Sequence, residues 1–304
     1  MKYSQIHPPV QAALSANRAV VAFETSLISH GLPWPKNLET AQKMETTAKN
    51  QGAIPATVAV HKGKIRIGCD TLLLEHFARA QDVLKVGRKD LSAAIAEGRD
   101  GGTTVSATIH CAAAAGINIF ATGGIGGVHR GGEKSLDISA DLSALGRTAI
   151  TVVCSGAKSI LDLAKTLEVL ESQNVLVIGF GTDSLPAFYA RDSDLKLEHR
   201  VDTPEQAAEV LRAHHALAME SAVLVVNPID KEFAIDWQDL QSWTEQAEME
   251  AATECVSGKA LTPYLLGRIG ELSEGRTLAA NQALAVGNAE LAAQIAVALA
   301  AEGA

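Results

Sequence analysis

The segment "ITVVCSGAKSILDLAKTLEVLE", residues 150–171, joins an apolar run to an amphipathic one through a short polar turn. The run up to Cys154 has the length and composition of a buried strand, and the apolar spacing from Ser159 onward predicts a helix. The turn between them contains Gly156 and a single lysine, Lys158. A strand that leads into a helix is the repeating unit of an α/β fold, and here it places Lys158 where a helix is predicted to begin.

The same alternation of strands and helices continues along most of the chain. Apolar strands are predicted at residues 18–24, 55–68, 117–123, 148–154, 175–180 and 221–227. Helices are predicted at residues 39–52, 91–101, 159–171, 204–220 and 237–255, and a long Ala-rich helix from Thr277 onward. Because the strands are apolar on both faces, we predict a three-layer α/β/α sandwich with a mixed, mostly parallel central sheet. The sequence has no internal repeat or low-complexity linker, so we predict one domain over residues 1–304.

The composition excludes several classes of partner. The chain has 26 lysines and arginines against 35 acidic residues, for a net charge of -9, which makes a nucleic acid polymer an unsuitable partner. The four cysteines form no CxxC pair, as expected of a protein in a reducing cytoplasm. The first residues lack the apolar core of a signal peptide, and glycines interrupt the most apolar stretch, residues 111–128. We therefore predict a cytoplasmic protein with no membrane partner.

A glutamate closes the first predicted strand. Glu24 stands at the end of "AVVAFE", and a turn through His30 and Gly31 follows. A carboxylate at a strand end can be a solvated or capping group, and it can also be a general acid or base whose pKa is adjusted by partial burial. From the residues alone both interpretations stand.

A glycine-rich segment, "ATGGIGGVHRGGEKSLDISADL", covers residues 121–142. It lacks the third glycine of a dinucleotide fingerprint, since His129 stands there, but its backbone N–H groups could form a nest for a phosphate. We therefore predict substrate contacts at Thr122, Gly123 and His129. The alternative is a set of ordinary turns.

Two aspartates end the same segment. If this part of the chain is helical, Asp137 and Asp141 share one helix face at i and i+4. One carboxylate completed by water is a common way to hold Mg²⁺ or Mn²⁺ near a phosphate. The alternative is a helix start, where acidic side chains are favoured by the helix dipole.

Three further polar residues stand in apolar surroundings: Lys158, Lys85 and Asn281. An amine whose pKa is lowered by burial or by a helix dipole is a nucleophile, so Lys158 is a candidate reagent. Otherwise it is a lysine that covers a helix start. Lys85 is either a site residue or a solvent-facing charge. The amide of Asn281 is either hydrogen-bonded inside the protein or lies on the exposed side of its helix.

Taken together, these stretches resemble the pseudouridine-5'-phosphate glycosidases of the indigoidine synthase A-like family. The resemblance runs from about Val10 to the C-terminal helix. The motifs that carry it occur in the family's order: FETSLISHGLPWP, GAIPATVAV, GTTVSATIH, FATGGIGGVHRGG, DISADL, VVCSGAKSILDL, NPI and GKALTPYLL.

The resemblance implies roles for particular residues. Lys158 matches the family's catalytic lysine, Glu24 its proton donor and Asp137 its metal ligand. The remaining matches are substrate contacts: Lys85, Val105, Ser139, Ala140, Asp141 and Asn281. Locally the chain departs from the family at Lys134-Ser135-Leu136, where an aromatic is common, and at Ser155, which replaces an alanine.

The resemblance also implies a reaction. The family reversibly cleaves pseudouridine 5'-phosphate to uracil and ribose 5-phosphate. It uses a divalent ion, typically Mn²⁺, with Mg²⁺ or another divalent ion as alternatives. Its members form homotrimers with an α/β/α core. Three alternatives stay open. They are a relative that forms C-glycosides in a biosynthetic pathway, a Schiff-base aldolase acting on a sugar phosphate, and a non-catalytic protein that binds sugar phosphates or nucleotides.

Overall fold

One large mixed sheet organises the protein, and the computed structural model describes residues 2–256 and 261–301. Eleven strands of the described residues belong to this sheet. They are β1 (Ser4–Ile6), β2 (Val20–Glu24), β3 (Ile54–His61), β4 (Lys64–Ile67), β5 (Leu84–Val86), β6 (Gly101–Thr103), β7 (Ile119–Ala121), β9 (Thr151–Cys154), β11 (Leu176–Phe180), β12 (His199–Val201) and β13 (Val223–Val226). A separate antiparallel pair consists of β8 (Val128–His129) and β10 (Leu161–Asp162).

The strand order along the sheet is β1-β4-β3-β2-β7-β9-β13-β11-β12, with β6 paired to β3 and β5 paired to β6. Strand β3 runs antiparallel to β4 and β6, while β2, β7, β9, β13, β11 and β12 run parallel. This confirms the predicted mixed, mostly parallel sheet. In a parallel sheet the carboxyl ends of neighbouring strands meet at one edge, so residues that follow β2, β7, β9 and β13 come together.

Helices cover both faces of this sheet. The α-helices of the described residues are α1 (Pro8–Ser15), α2 (Lys36–Asn50), α3 (Thr71–Arg79), α4 (Leu91–Ala96), α5 (Val105–Ala114), α6 (Gly132–Ser135), α7 (Ala140–Leu145), α8 (Leu163–Ser172), α9 (Pro204–Ala216), α10 (Trp237–Thr253), α11 (Leu261–Leu272) and α12 (Arg276–Ala301). Helices α2, α9 and α12 pack together on one face, and α5, α7 and α8 cover the other. The predicted three-layer arrangement is therefore confirmed.

A buried apolar cluster extends from Val10 to Ala296. It is built mainly from Ala, Val, Leu and Ile of the strands and of the helix faces that cover them. One domain over residues 1–304 stays a prediction.

Helix α12 is long and apolar enough, by length and composition alone, to cross a membrane. Half of its most apolar window is buried inside the protein, where it packs against α2, α9 and the strands β2, β7 and β9. A core helix has these same properties. The prediction of a long helix from Thr277 is confirmed.

The segment quoted first folds differently from its prediction after Cys154. Strand β9 ends at that residue as expected, but the next helix, α8, begins only at Leu163, after the short strand β10. The side chain of Asp162 caps this helix by accepting a hydrogen bond from the N–H of Lys165, at 3.0 Å. Lys158 therefore lies in a loop and not at a helix N-terminus, so the helix dipole cannot be the reason for its position.

Candidate active site

The carboxylate of Glu24 lies at the carboxyl edge of the sheet, beside Thr122. The register sets this placement: Phe23 of β2 pairs with Ala121 of β7, so the next residue of each strand is adjacent. Glu24 is only 9% exposed, and the hydroxyls of Ser26 and Thr122 donate hydrogen bonds to its two oxygens. The strand buries the group, and the two hydroxyls hold it in one orientation.

The pKa of Glu24 is raised from its ordinary value. Burial in protein is the largest cause, since it penalises the charged form. The positive charge of Lys158 and the hydrogen bonds from Ser26 and Thr122 oppose this rise, and the negative charge of Asp141 adds to it. The carboxyl thus holds a proton more readily than a solvated glutamate, as a general acid requires.

Lys158 reaches the same place from strand β9. After β9 the chain turns at Gly156, whose φ is +84°, and a Cβ there would lie 2.2 Å from the carbonyl oxygen of Pro186. Only glycine fits both the conformation and the space. The N–H of Lys158 then donates to the carbonyl oxygen of Ile125, at 3.1 Å, which fixes the backbone of the loop.

Glu24 and Lys158 line one cleft. The other lining residues are Ser26, Leu27, His30, Gly31, Lys85, Thr122, Gly123, Gly124, Phe188, Thr262, Pro263, Leu266 and Asn281. Six residues predicted from the sequence thus meet here, although they come from five separate parts of the chain. Part of one family motif, residues 258–260, lies outside the described residues.

Lys85 stands at the centre of β5, opposite Gly102 of β6. Its side chain retains contact with solvent, yet the surrounding protein desolvates the ammonium and lowers its pKa, and the charge of Lys158 lowers it further. The negative charges of Glu24 and Asp141 oppose this effect. A cation between two acidic groups and a second lysine suits the binding of an anionic substrate group.

Asn281 projects into the cleft from α12 and is 8% exposed. Its Oδ1 atom is buried and has no hydrogen-bond partner among the residues that the structure describes. Buried polar atoms in folded proteins nearly always have a partner, and this oxygen can accept a hydrogen bond from a group that enters the cleft.

The glycine-rich segment does not form the predicted anion nest with its central N–H groups. The N–H of Gly126 donates to Asp141 Oδ2 at 3.0 Å, the N–H of Val128 to Thr166 Oγ1 at 2.9 Å, and the N–H of Ile125 to a carbonyl oxygen. The glycines are needed because side chains pack against them. A Cβ on Gly124 would lie 2.7 Å from the ring of Phe188.

His129 and Arg130 also have partners inside the protein. His129 Nε2 lies 3.4 Å from Thr262 Oγ1, and Arg130 Nε lies 3.6 Å from Glu248 Oε1. Among the described residues, neither is part of the lining of the cleft that holds Glu24. A substrate contact at His129 remains a prediction.

The two aspartates of this segment do not share a helix face. Asp137 precedes α7, which begins at Ala140, whereas Asp141 lies inside it. The helix is capped by Ser139, whose Oγ accepts from the N–H of Asp141 at 3.2 Å. The carboxylate of Asp141 is 7% exposed and accepts hydrogen bonds from the N–H groups of Ser106 and Gly126. Asp141 therefore ties the start of α5, where Val105 is buried, to the glycine-rich segment.

The carboxylate of Asp137 differs from that of Asp141. It is half-buried, and no hydrogen bond or ion pair of its oxygens is found within residues 2–256 and 261–301. A carboxylate whose oxygens are not engaged by protein donors can bind a hard divalent ion together with water. The donor set thus fits the predicted metal role, although Val105, Ser139, Ala140, Asp141 and Asp137 lie beside the cleft rather than in its described lining.

A second group of side chains could hold a divalent metal ion. The donor atoms of His61, His76 and Asp100 all lie within 4.8 Å of one another. The sequence analysis missed this group, because the three residues stand far apart and follow no ligand-spacing motif.

The structure also adds residues to the site that the sequence did not indicate. Ser26 holds Glu24, and Phe188 lines the cleft from a long loop in which its φ is +64°. Asn288 of α12 is fully buried and donates to the carbonyl oxygens of Thr122 and Gly123. A polar amide in an apolar helix is a signal for Asn288 as much as for Asn281, but nothing in the sequence gives a signal for Phe188.

Comparisons with known proteins give consistent results. The model of the family described as indigoidine synthase A like protein matches residues 9–298. A protein of Paracoccus denitrificans named pseudouridine-5'-phosphate glycosidase is 50% identical over 97% of this chain and 98% of its own length. One with the same name from Caldanaerobacter subterraneus subsp. tengcongensis is 46% identical over 98% of this chain and 97% of its own.

Two solved structures resemble the fold closely. The prealnumycin C-glycosynthase AlnA, in complex with ribulose 5-phosphate, superposes with a TM-score of 0.93 at 37% identity, covering 100% of this chain and 99% of its own. An indigoidine synthase A-like protein from Thermotoga maritima gives a TM-score of 0.88 at 34% identity, covering 98% and 96%.

Proposed function

The chain belongs to the indigoidine synthase A-like family, and from this premise we propose that it reversibly cleaves pseudouridine 5'-phosphate to uracil and ribose 5-phosphate. Relatives that match nearly its whole length are enzymes named for this activity. The observation that carries the proposal is the pairing of a buried, readily protonated Glu24 with Lys158 in one cleft.

The substrate's bond explains why a lysine and a carboxyl group are needed together. Pseudouridine joins ribose to uracil through carbon, so protonating a heteroatom leaving group, as ordinary glycosidases do, is not an available route. A neutral lysine amine can instead attack C1' while the ring oxygen leaves and takes a proton, which opens the ribose. Glu24 is placed to supply that proton.

The bond to uracil then breaks from the opened form. The nitrogen lone pair of Lys158 forms a C=N bond to C1' as the C1'–uracil bond breaks, and the uracil carbon takes up a proton. The resulting imine reacts with water, which returns the free amine and releases ribose 5-phosphate. The scheme needs a nucleophilic amine and a proton carrier, and Lys158 and Glu24 line the same cleft beside Lys85.

The other residues of the cleft position the substrate in this scheme. Lys85 supplies positive charge for an anionic group, and the unpaired Oδ1 of Asn281 accepts a hydrogen bond from a hydroxyl or N–H of the ligand. Asp137 would hold a divalent ion, Mn²⁺ by family resemblance, through its unengaged carboxylate. When bound there, such an ion neutralises and orients negatively charged oxygens of the substrate.

The formation of C-glycosides is the second candidate function. The close structural likeness to a prealnumycin C-glycosynthase favours it, since that protein carries the same fold at 37% identity. The two functions differ in the aromatic partner, so release of uracil from pseudouridine 5'-phosphate separates them. The higher identity to the glycosidases, 46–50%, favours uracil.

Borohydride trapping tests the covalent step. The protein is incubated with ribose 5-phosphate and borohydride, which reduces an imine to a stable amine, and the modified peptide is located by mass spectrometry. We expect a ribose phosphate adduct on Lys158, its loss in Lys158→Ala, and its retention in Lys89→Ala, a change at an exposed lysine. Uracil release without any adduct would refute lysine catalysis, and cleavage within a sugar carbon chain would indicate an aldolase instead. Tight binding of the nucleotide with no turnover would indicate a binding protein.

We retain two predictions for the assembly and location. The family resemblance implies a homotrimer, which sedimentation or light scattering would test. The cysteine pattern implies a cytoplasmic location, where its small-molecule partners, pseudouridine 5'-phosphate, uracil and ribose 5-phosphate, would be found.

A further inference from the structure

Three side chains with metal-ligand chemistry meet at the end of β3, away from the cleft that contains Lys158. His61 is the last residue of β3, His76 lies on α3, and Asp100 directly precedes β6. Asp100 Oδ2 lies 2.6 Å from His76 Nε2, and Asp100 Oδ1 lies 3.1 Å from His61 Nδ1. All three side chains are partly buried, with 21%, 41% and 19% of His61, His76 and Asp100 exposed.

The backbone fixes the carboxylate at the centre of this group. The N–H of Lys62, in the turn between β3 and β4, donates to Asp100 Oδ1 at 2.7 Å. The N–H of Gly63 in the same turn donates to the carbonyl oxygen of Arg99, at 3.2 Å. The carboxylate therefore has a defined position before any ligand binds.

One nitrogen of the group is left without a hydrogen bond. His61 Nδ1 is buried, and although Asp100 Oδ1 is near, the geometry is not that of a hydrogen bond with any described residue. A buried ring nitrogen without a partner is unusual and points to a missing one.

We propose that His61, His76 and Asp100 form a binding site for a divalent transition-metal ion of the zinc class. Two imidazoles and one carboxylate are a ligand set that zinc and its neighbours prefer, whereas Mg²⁺ and Ca²⁺ take oxygen ligands. Zinc binds such atoms at about 2.0–2.2 Å, which separates neighbouring ligand atoms by roughly 3.3 Å in a tetrahedral site. Asp100 oxygens lie 2.6 Å from His76 Nε2 and 3.1 Å from His61 Nδ1, and all the donor atoms lie within 4.8 Å of one another. Only small side-chain rotations are needed to bring these atoms to the tetrahedral spacing.

The charges around the group are compatible with a cation. Lys62 is the positive side chain that acts most clearly on His61, and it lies in the exposed turn. Arg66 lines the same surface: one nitrogen of its guanidinium donates to Gln5 Oε1 at 2.9 Å, and its buried Nε has no hydrogen-bond partner among the described residues. Asp70 on the same surface adds negative charge.

The site would reinforce the joint between three elements that already meet through hydrogen bonds of Asp100. A bound ion would tie the turn after β3 to α3 and to the start of β6. Two residues after Asp100, Gly102 of β6 pairs with Lys85, which lines the active-site cleft. We therefore expect the ion to raise the stability of this part of the sheet, and any effect on substrate binding to act through the position of Lys85.

The test uses the full chain without a histidine tag, stripped with a chelator. Titration with Co²⁺ reports nitrogen and oxygen ligation through its visible absorption bands, and titration with Zn²⁺ followed by thermal unfolding reports stabilisation. We expect one tightly bound ion per chain, a Tm rise of several degrees, and retention of both in Asp137→Ala, which lacks the metal ligand assigned by family resemblance.

Variants of the ligands separate this site from others. His76→Ala and Asp100→Asn should abolish the Co²⁺ bands and the Tm rise, while His215→Ala, a change on the exposed side of α9, should retain them. If His76→Ala fails to fold, the same Co²⁺ titration of His61→Gln and of Asp100→Asn, with circular dichroism to show that Asp100→Asn is folded, still tests the proposed ligands. Binding of no stoichiometric ion by the folded wild type, or binding that survives loss of His76 and Asp100, would overturn the proposal and leave a hydrogen-bonded His-Asp-His group only.

Discussion

Replacing Asn288 by leucine should destabilise the protein, whereas the same change at Asn281 should not. Both asparagines belong to α12, and both are buried, at 0% and 8% exposure. Asn288 Nδ2 donates to the carbonyl oxygen of Thr122 at 2.9 Å and to Ser155 Oγ at 3.1 Å. No hydrogen bond of the Asn281 side chain is found in the part of the chain that the structure describes. The two positions therefore separate a structural amide from a ligand-binding one.

The magnitude follows from the groups left without a partner. Asn288→Leu leaves the carbonyl oxygen of Thr122 and the hydroxyl of Ser155 inside the protein, where both residues are 1% exposed. Each unpaired buried polar group costs about 1–3 kcal/mol. Asn227, which donates to Asn288 Oδ1 at 3.1 Å, is half-buried and can turn to solvent. Leucine adds a similar apolar gain at both positions, so the two variants should differ in unfolding free energy by about 2–6 kcal/mol.

Urea unfolding at one fixed protein concentration measures this difference, and uracil release measures the effect on activity. We expect Asn288→Leu to unfold at a clearly lower urea concentration than wild type. Asn281→Leu should keep a midpoint near wild type and lose substrate affinity, because Asn281 Oδ1 would no longer accept a hydrogen bond from the ligand. Equal midpoints for the two variants would refute the assignment of Asn288 as the amide that joins α12 to the sheet.

Three further predictions concern Thr122, Asp137 and Cys154. Thr122→Val removes one of the three interactions that lower the pKa of Glu24, so that pKa should rise. The high-pH limb of the pH–rate profile should then move to higher pH. The control Ser29→Ala removes a hydroxyl that donates to a backbone carbonyl oxygen, and it should leave this limb in place. Asp137→Ala should lose most activity together with the response of uracil release to added Mn²⁺, and activity with that response intact would contradict the metal assignment. Burial raises the pKa of Cys154 to about 12, so Cys154→Ala should remain active, and a thiol reagent should leave Cys154 unmodified in the folded protein.

The sequence predicted the long apolar strands of the sheet because their pattern is local. Glu24 and Lys158 were found for the same reason, since Glu24 ends such a strand and Lys158 lies in the turn that follows another. The short strands β5 and β6 have three residues each, and two of the three residues of β6 are glycines. Neither strand therefore shows an apolar pattern of its own. The pairing of β6 with β3 and of β5 with β6, and with it the position of Lys85, is decided by tertiary contacts.

The errors of prediction have similar causes. The segment after Gly156 has helical spacing from Ser159, but its first residues pair with β8 instead, since Leu161 lies opposite His129. The glycines after β7 looked like a ligand nest, yet side chains such as Thr166 occupy the space beside them. Neither β8 nor Thr166 is near in sequence to the segment that it contacts, so a prediction from local sequence patterns could not include either contact.

The position of α12 has a consequence for synthesis on the ribosome. Glu24 emerges early, but Asn281 follows 257 residues later (281 minus 24). At about 5–20 residues per second this interval lasts roughly 13–50 seconds. Until α12 is made, the carbonyl oxygen of Thr122 has no amide of Asn288 to donate to it, and the strands that α12 covers lack that cover. A nascent chain therefore contains Glu24 and Lys158 before the residue of α12 that completes the lining of their cleft has been made.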